Sequence, residues 1–304
     1  MKCTRALVAA SLSILTLACT TMRAAERPLV APGAKLEKIA GGFVFTEGAS
    51  ADAAGNVYFT DQPNDRIMKY SVDGRLTEWM KPCGRSNGTK VLGNQALIAC
   101  ADEKNQLWSI DLATQKVTVI LKDYQGKLLN GPNDVWIRPD GGMYFTDPFY
   151  KRDYWNRGPS EQPQCVYFIS PDRGKVMRVI DDLKQPNGIV GTPDGKTLYV
   201  ADIGAGRTFA FDVRDDGTLS NKRLFCKMGS DGMTLDVAGN VYLTGRGVSI
   251  FDRSGQQVER IDVPENWCGN LCFGGQDRQT LFITASKGFY AIRMSVKGAV
   301  FPGG

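Results

Sequence analysis

Residues 45–67 read FTEGASADAAGNVYFTDQPNDRI: a carboxylate beside a glycine, a polar turn, then an alternating apolar strand that ends in Thr-Asp. The same order of features returns in GPNDVWIRPDGGMYFTDP (131–148), QPNGIVGTPDGKTLYVAD (185–202) and GSDGMTLDVAGNVYLTG (229–245). Aligned on their strand centres, the phrases give Tyr58, Ile98, Tyr144, Tyr199, Tyr242 and Phe282, spaced by 40, 46, 55, 43 and 40 residues. That is the period of a propeller blade, so six units predict six blades.

Each unit carries a second strand pair, as in DRIMKYSVDGRLTEWM (65–80) and NQLWSIDLATQKVTVIL (105–121), with turn residues between the alternating runs. No stretch beyond the N-terminal leader holds a helical period for three turns. The predicted fold is all-β, a six-bladed β-propeller of four-stranded blades. The last unit lacks a final strand before the tail VKGAVFPGG (296–304), while AKLEKIAGGFVF (34–45) has no blade of its own. An N-terminal strand is therefore expected to complete the sixth blade, which removes the open sheet edges. A length of 304 residues with 34 glycines suits one turn-rich propeller.

The first residues, MKCTRALVAASLSILTLACTTMRAAERP, place Lys2 and Arg5 before an apolar run and then small residues. This is the layout of a signal peptide, read over 1–25 with cleavage near Ala24 or Ala25, leaving a propeller over 26–304. Export to the periplasm or the extracellular space is expected. Lipid attachment at Cys19 and an uncleaved membrane anchor are the competing readings. Losing Lys2, Arg5 and Arg23 takes three of 37 basic residues, against 32 acidic ones, and leaves a charge near +2. No basic block or basic-aromatic stripe remains, which argues against nucleic acid as a partner and against a charged membrane footprint.

Cys83, Cys100, Cys165, Cys226, Cys268 and Cys272 remain after the leader, and sequence does not choose a pairing among them. Buried free thiols are expected at Cys100 and Cys272. The longest gap in the repeat holds DPFYKRDYWNRGPSEQPQ (147–164), polar and aromatic without alternation. Such an insertion is either a binding loop or a plain surface excursion.

Counting back 11 or 12 residues from each strand centre reaches Glu47, Asn87, Asn133, Asn187, Asp231 and Asn270. Equivalent positions of the innermost strands face one channel, so their oxygens form a ring suited to a hard cation, with Ca²⁺–O distances of about 2.3–2.6 Å. Turn chemistry explains Asx-Gly pairs equally well, but it does not explain Glu47.

Over roughly residues 35–295, the stretches FTEG, NGPNDVWIRPDGGMYFTDP, DLKQPNGIVGTPDGKTLYVAD and SDGMTLDVAGNVYLTG together resemble the SMP-30/gluconolactonase/luciferin-regenerating-enzyme-like family of six-bladed propellers. The resemblance implies a divalent cation held by Glu47, Asn133, Asn187 and Asp231, Ca²⁺ foremost, with Mg²⁺, Mn²⁺ or Zn²⁺ as alternatives. It also gives Asp231 a catalytic role. Sugar-lactone relatives of the regucalcin branch carry Arg where this chain has Gly131, which puts aldonolactone specificity in question.

The chain has no histidine, so every mechanism with a His base is excluded, and Ser86 in GRSNG (84–88) is no hydrolase nucleophile. The expected chemistry is metal-dependent hydrolysis of a lactone, with the cation polarising the carbonyl and Asp231 as base or nucleophile. Asn87 and Asn270 are candidate contacts to substrate hydroxyls. Asp147, Tyr150 and Arg152 are candidate contacts from the insertion, with a solvated loop as the alternative. Phosphotriester hydrolysis on the same ring, or a binding propeller with a structural ion, are the rival functions.

Overall fold

The computed structural model describes residues 28–300, so the leader expected over 1–25 lies outside the described residues. Six four-stranded antiparallel sheets follow one another around the ring. Blades 1 to 3 comprise Thr46–Ala51, Val57–Asp61, Arg66–Tyr70 and Leu76–Met80; then Ser86–Leu92, Ala96–Ala101, Gln106–Asp111 and Val117–Leu121; then Val135–Ile137, Met143–Asp147, Cys165–Ile169 and Val176–Ile180. Blade 4 comprises Pro186–Gly191, Thr197–Asp202, Arg207–Val213 and Leu219–Cys226, and blade 5 comprises Met233–Leu235, Val241–Gly245, Gly247–Phe251 and Gln257–Ile261. In blade 6, Cys268–Gly274, Thr280–Ala285 and Gly288–Arg293 are joined by Glu37–Gly41, which pairs antiparallel with Gly288–Arg293 as the outermost strand. The ring closes with the N-terminal strand, as its orphan sequence predicted.

Burial explains the pattern of the repeat. The second strand of a blade, VYFTD in blade 1 and MYFTD in blade 3, is buried at every position because neighbouring blades cover both its faces. Outer strands such as LTEWM turn polar residues to solvent. At the closing seam, Phe59 of blade 1 stacks on Phe289 of blade 6 at 4.2 Å between centroids, and Phe282 stacks on Phe289 at 5.6 Å. A fully buried Phe contributes about 1.5–3 kcal/mol, so this aromatic column makes closure favourable.

All six cysteines of the described chain are buried and free, including Cys100 and Cys272. Burial pushes the thiols of Cys83, Cys165, Cys268 and Cys272 up to about 12. Among the described residues no helix is long and apolar enough to cross a membrane.

The Asp at the end of the second strand is a recurrent clip. Asp61 accepts the backbone N–H groups of Val44 and Phe45, and Asp202 those of Lys184 and Gln185, which fixes the chain as it enters each inner strand. The Asp recurs at the end of the second strand in blades 1, 3 and 4 and directly after it in blade 2, whereas blades 5 and 6 end that strand in Gly245 and Ala285.

Candidate active site

The inner strands carry their special residues at β-bulges. Pairing of the first and second strands skips between Glu47 and Ser50, between Ser86 and Thr89, and between Pro186 and Ile189. The skipped segments contain Gly48, Asn87, Gly88, Asn187 and Gly188. A bulge re-aims side chains, here toward the channel mouth. The glycines are needed because the strands crowd the axis: a Cβ on Gly48 would sit 2.2 Å from Asn87 O, and one on Gly188 2.6 Å from Asp231 O. Of Gly48, Gly88, Gly188 and Gly232 only Gly48 has a left-handed φ, at 55°, so turn chemistry does not account for the Asx-Gly pairs.

The mouth opens into a cavity of about 220 Å³ lined by Phe45, Glu47, Gln62, Asn87, Asn133, Tyr150, Arg152, Asn187, Ile203, Asp231 and Trp267. Glu47, Asn133, Asn187 and Asp231 thus share one wall space, with Asn87, Tyr150 and Arg152 beside them. A larger groove of about 550 Å³ lies at the opposite ends of blades 4 and 5. Its Asp194 and Asp236 are spent on their own turns, accepting from Thr192 and Lys196 and from Asn240, so the groove presents no converging chemistry.

Two sequence candidates stand elsewhere. Asp147 is fully buried at its strand end, where its carboxylate accepts the N–H groups of Asn130 at 2.9 Å and Gly131 at 2.8 Å. It is the blade 3 copy of the entry clip, which the repeat itself demands, and it does not reach the cavity. Asn270 is buried beside Gly232, and its Oδ1 accepts the Leu271 N–H at 2.8 Å; it lies behind the wall. Ser86 is buried and donates to Cys83 O at 2.7 Å.

Phe45, Gln62, Ile203 and Trp267 were missed. The signal was positional: Gln62 and Ile203 directly follow the clip Asp of their blades, Phe45 directly precedes Thr46 of the TEG motif, and Trp267 directly precedes the inner strand of blade 6.

Glu47 is 1% exposed, and burial together with the nearby Asp231 and Asp134 holds its carboxyl well above the ordinary range. Burial pushes Asp231 up to about 6, against the hydrogen bonds from Trp267 and Asn187 that favour its charged form. The Trp267 indole N–H donates to Asp231 Oδ2 at 2.7 Å. Two carboxylates in one closed space repel unless a proton or a cation lies between them. Asn187 donates through Nδ2 to the Tyr150 hydroxyl at 2.9 Å, yet its Oδ1 is buried without a partner among the described residues. An orphan carbonyl oxygen, a second carboxamide and two carboxylates form an all-oxygen donor set that fits a hard divalent cation. Among the described residues no group of three His, Cys, Asp or Glu side chains is placed to hold a metal ion, so the candidate donors here are two carboxylates and two carboxamides.

The insertion reaches the mouth because blade 2 lends it an anchor. Asp102 accepts from Arg152 Nε at 3.2 Å and from the Tyr154 hydroxyl, and its carbonyl accepts from Trp155 Nε1 at 2.9 Å. The Arg152 guanidinium lies 5.4 Å from the Tyr150 ring centre. Trp155 also fills the space beside Gly131, where a Cβ would come within 3.0 Å of the indole and 2.7 Å of Asp102 Oδ1. No larger side chain fits there.

Fold and site together define a six-bladed propeller with a buried acidic pair and carboxamides at one mouth of its channel. The SMP-30/Gluconolactonase/LRE-like region matches residues 45–287, and the chain belongs to that family. It is 28% identical to a gluconolactonase of Zymomonas mobilis over 295 residues, covering 86% of this chain and 82% of that protein. A lactonohydrolase of Aspergillus oryzae is 30% identical over 69% of this chain, which spans only 54% of that longer protein. A solved gluconolactonase from Xanthomonas campestris superposes with a TM-score of 0.82 at 28% identity, covering 88% of this chain and 91% of that one.

Proposed function

We propose that the protein is a lactonase that hydrolyses the ring ester of a small, sugar-type lactone in this cavity, with a divalent cation held by Glu47, Asn133, Asn187 and Asp231. The observation that carries the reading is the Glu47–Asp231 pair, two buried carboxylates facing one space beside the orphan Asn187 Oδ1. The gluconolactonase and lactonohydrolase relatives support the reaction class.

When bound, the cation supplies Lewis acidity and offsets the two negative charges. Asp231 receives the proton of the attacking water, or adds to the carbonyl carbon itself, and Trp267 directs that role by occupying Oδ2 and leaving Oδ1 for the reaction. Arg152 and Tyr150 hold the lactone body from the insertion side, while Asn87 offers a carboxamide on the blade 2 side. Phe45, Ile203 and Trp267 line the cavity with apolar surface and limit the water that reaches the pair. The donor set favours Ca²⁺, and Mg²⁺, Mn²⁺ and Zn²⁺ are the cations to compare with it.

The test is hydrolysis of a lactone panel that includes glucono-1,5-lactone, before and after EDTA, with each of the four cations added back. Turnover abolished by EDTA and restored by one ion supports the proposal and names the ion. Turnover unaffected by EDTA removes the cation from it, and no turnover on any lactone overturns it.

A further inference from the structure

Gln62 stands in the wall of the cavity with a side-chain donor that has no partner among the described residues. It opens the 3-10 turn Gln62–Asn64 that follows the clip Asp61 in blade 1, and its backbone N–H donates to Phe45 O at 3.1 Å. The side chain is 4% exposed, and Nε2 is buried without a hydrogen-bond partner among the described residues. Buried amide donors are nearly always paired, because leaving one unpaired forfeits its hydration with nothing in return.

The turn itself does not demand this residue. Blades 2 and 4 build the same turn, Asp102–Lys104 and Ile203–Ala205, from Asp and Ile at its first position. Each of the three closes on a left-handed residue, Asp65, Asn105 or Gly206, so the backbone geometry is common to all while the first side chain is free to vary. Glutamine at this position therefore answers to the cavity, which it lines together with Ile203.

Its depth follows from the strand register. Glu47 pairs with Thr60 and Thr46 with Asp61, so Gln62, the first residue past the second strand, lies two residues beyond the partner of Glu47, toward the mouth. A group there meets the outer part of a bound molecule and not the ester carbon at the acidic pair. We propose that Gln62 is a substrate-binding residue, its carboxamide donating to a hydroxyl oxygen on the ring of a hydroxylated lactone whose ester group lies against Glu47 and Asp231. This rests on the lactonase reading above and adds to it a residue that selects the hydroxylated ring.

Two lactones of the same ring size separate the claims: glucono-1,5-lactone carries ring hydroxyls and δ-valerolactone carries none. For Gln62→Leu we expect KM for glucono-1,5-lactone to rise about tenfold with kcat nearly unchanged, while both constants for δ-valerolactone stay as in the wild type. The melting temperature should not fall, since the change removes an unpaired donor. Gln62→Met, unbranched and of similar length, repeats the measurement should leucine disturb the turn. Unchanged KM for glucono-1,5-lactone in a folded variant overturns the role of Gln62 alone, as does an equal loss on both lactones. If the wild type hydrolyses no lactone of the panel, the lactonase reading falls and this inference falls with it; turnover of other lactones but not of glucono-1,5-lactone overturns this inference alone.

Discussion

Asp231 uses its two oxygens differently. Oδ2 is held by the Trp267 indole at 2.7 Å, so a substitution at either residue tests a separate part of the proposal. Asp231→Asn keeps the shape and removes the base; kcat should fall by more than about a hundredfold with the melting temperature nearly unchanged. Undiminished turnover in that variant rules out Asp231 as base or nucleophile. Trp267→Phe keeps the ring and removes the donor. A hydrogen bond to a carboxylate favours its charged form, so losing it raises the Asp231 pKa and moves the acidic limb of the rate profile to higher pH. We expect kcat to drop about tenfold with KM little changed; a profile that stays in place would reduce Trp267 to packing.

At the scale of the element, Asp102 of blade 2 holds Arg152 and Tyr154 of the insertion 148–164, while Arg157 ties the same segment to the carbonyls of Leu129 and Asn130. In blades 1, 3 and 4 the equivalent Asp clips its own entry loop, but in blade 2 that work passes to Asp65, which accepts the N–H groups of Cys83 and Arg85. The Asp102 carboxylate is thereby released to receive Arg152 and Tyr154 from the neighbouring blade, while its backbone carbonyl accepts from Trp155. Asp102→Ala leaves the half-buried donors of Arg152 and Tyr154 without their carboxylate and should cost about 1 kcal/mol of stability. It should also raise KM several-fold and expose the insertion to limited proteolysis, read by the masses of the fragments. An uncut insertion with a normal KM would show that it stands without this anchor.

The whole molecule depends on closure and on the charge it buries. Removing the chain through Gly41 strips the outer strand from blade 6 and leaves Gly288–Arg293 as an open edge. Such a protein should melt well below the full chain or aggregate, by scanning calorimetry and size-exclusion chromatography; equal melting would show that three strands suffice. Burial also raises Asp134 and Asp147 to about 7 and Asp231 to about 6, with Glu47 raised as well. From about pH 4 up through about 7 the native state therefore holds protons that the unfolded chain has released, so these groups make stability fall as pH rises through that window. The metal-free protein should melt higher at pH 5.5 than at pH 8, and a divalent cation should recover much of the difference at pH 8. The same melting temperature with and without cation at pH 8 would argue against a bound ion.

The sequence alone determined the number of blades, the closing strand and the residues at one repeated position, because a propeller repeats a local rule: each blade returns the same strand and turn pattern, and in blades 1, 3 and 4 an Asp at the end of the second strand holds the entry loop. By the same rule it also misplaced Asp147, whose position in the insertion phrase looked functional while its repeat position required a clip. Only the tertiary structure decided which repeated residues share a cavity. Asn270 follows the same count as Asn187, yet bulges and crowding around the axis turn one toward the mouth and leave the other against its own strand. Gln62 and Trp267 belong to no motif, and come to the acidic pair only because loops from separate blades meet at the mouth when the ring closes.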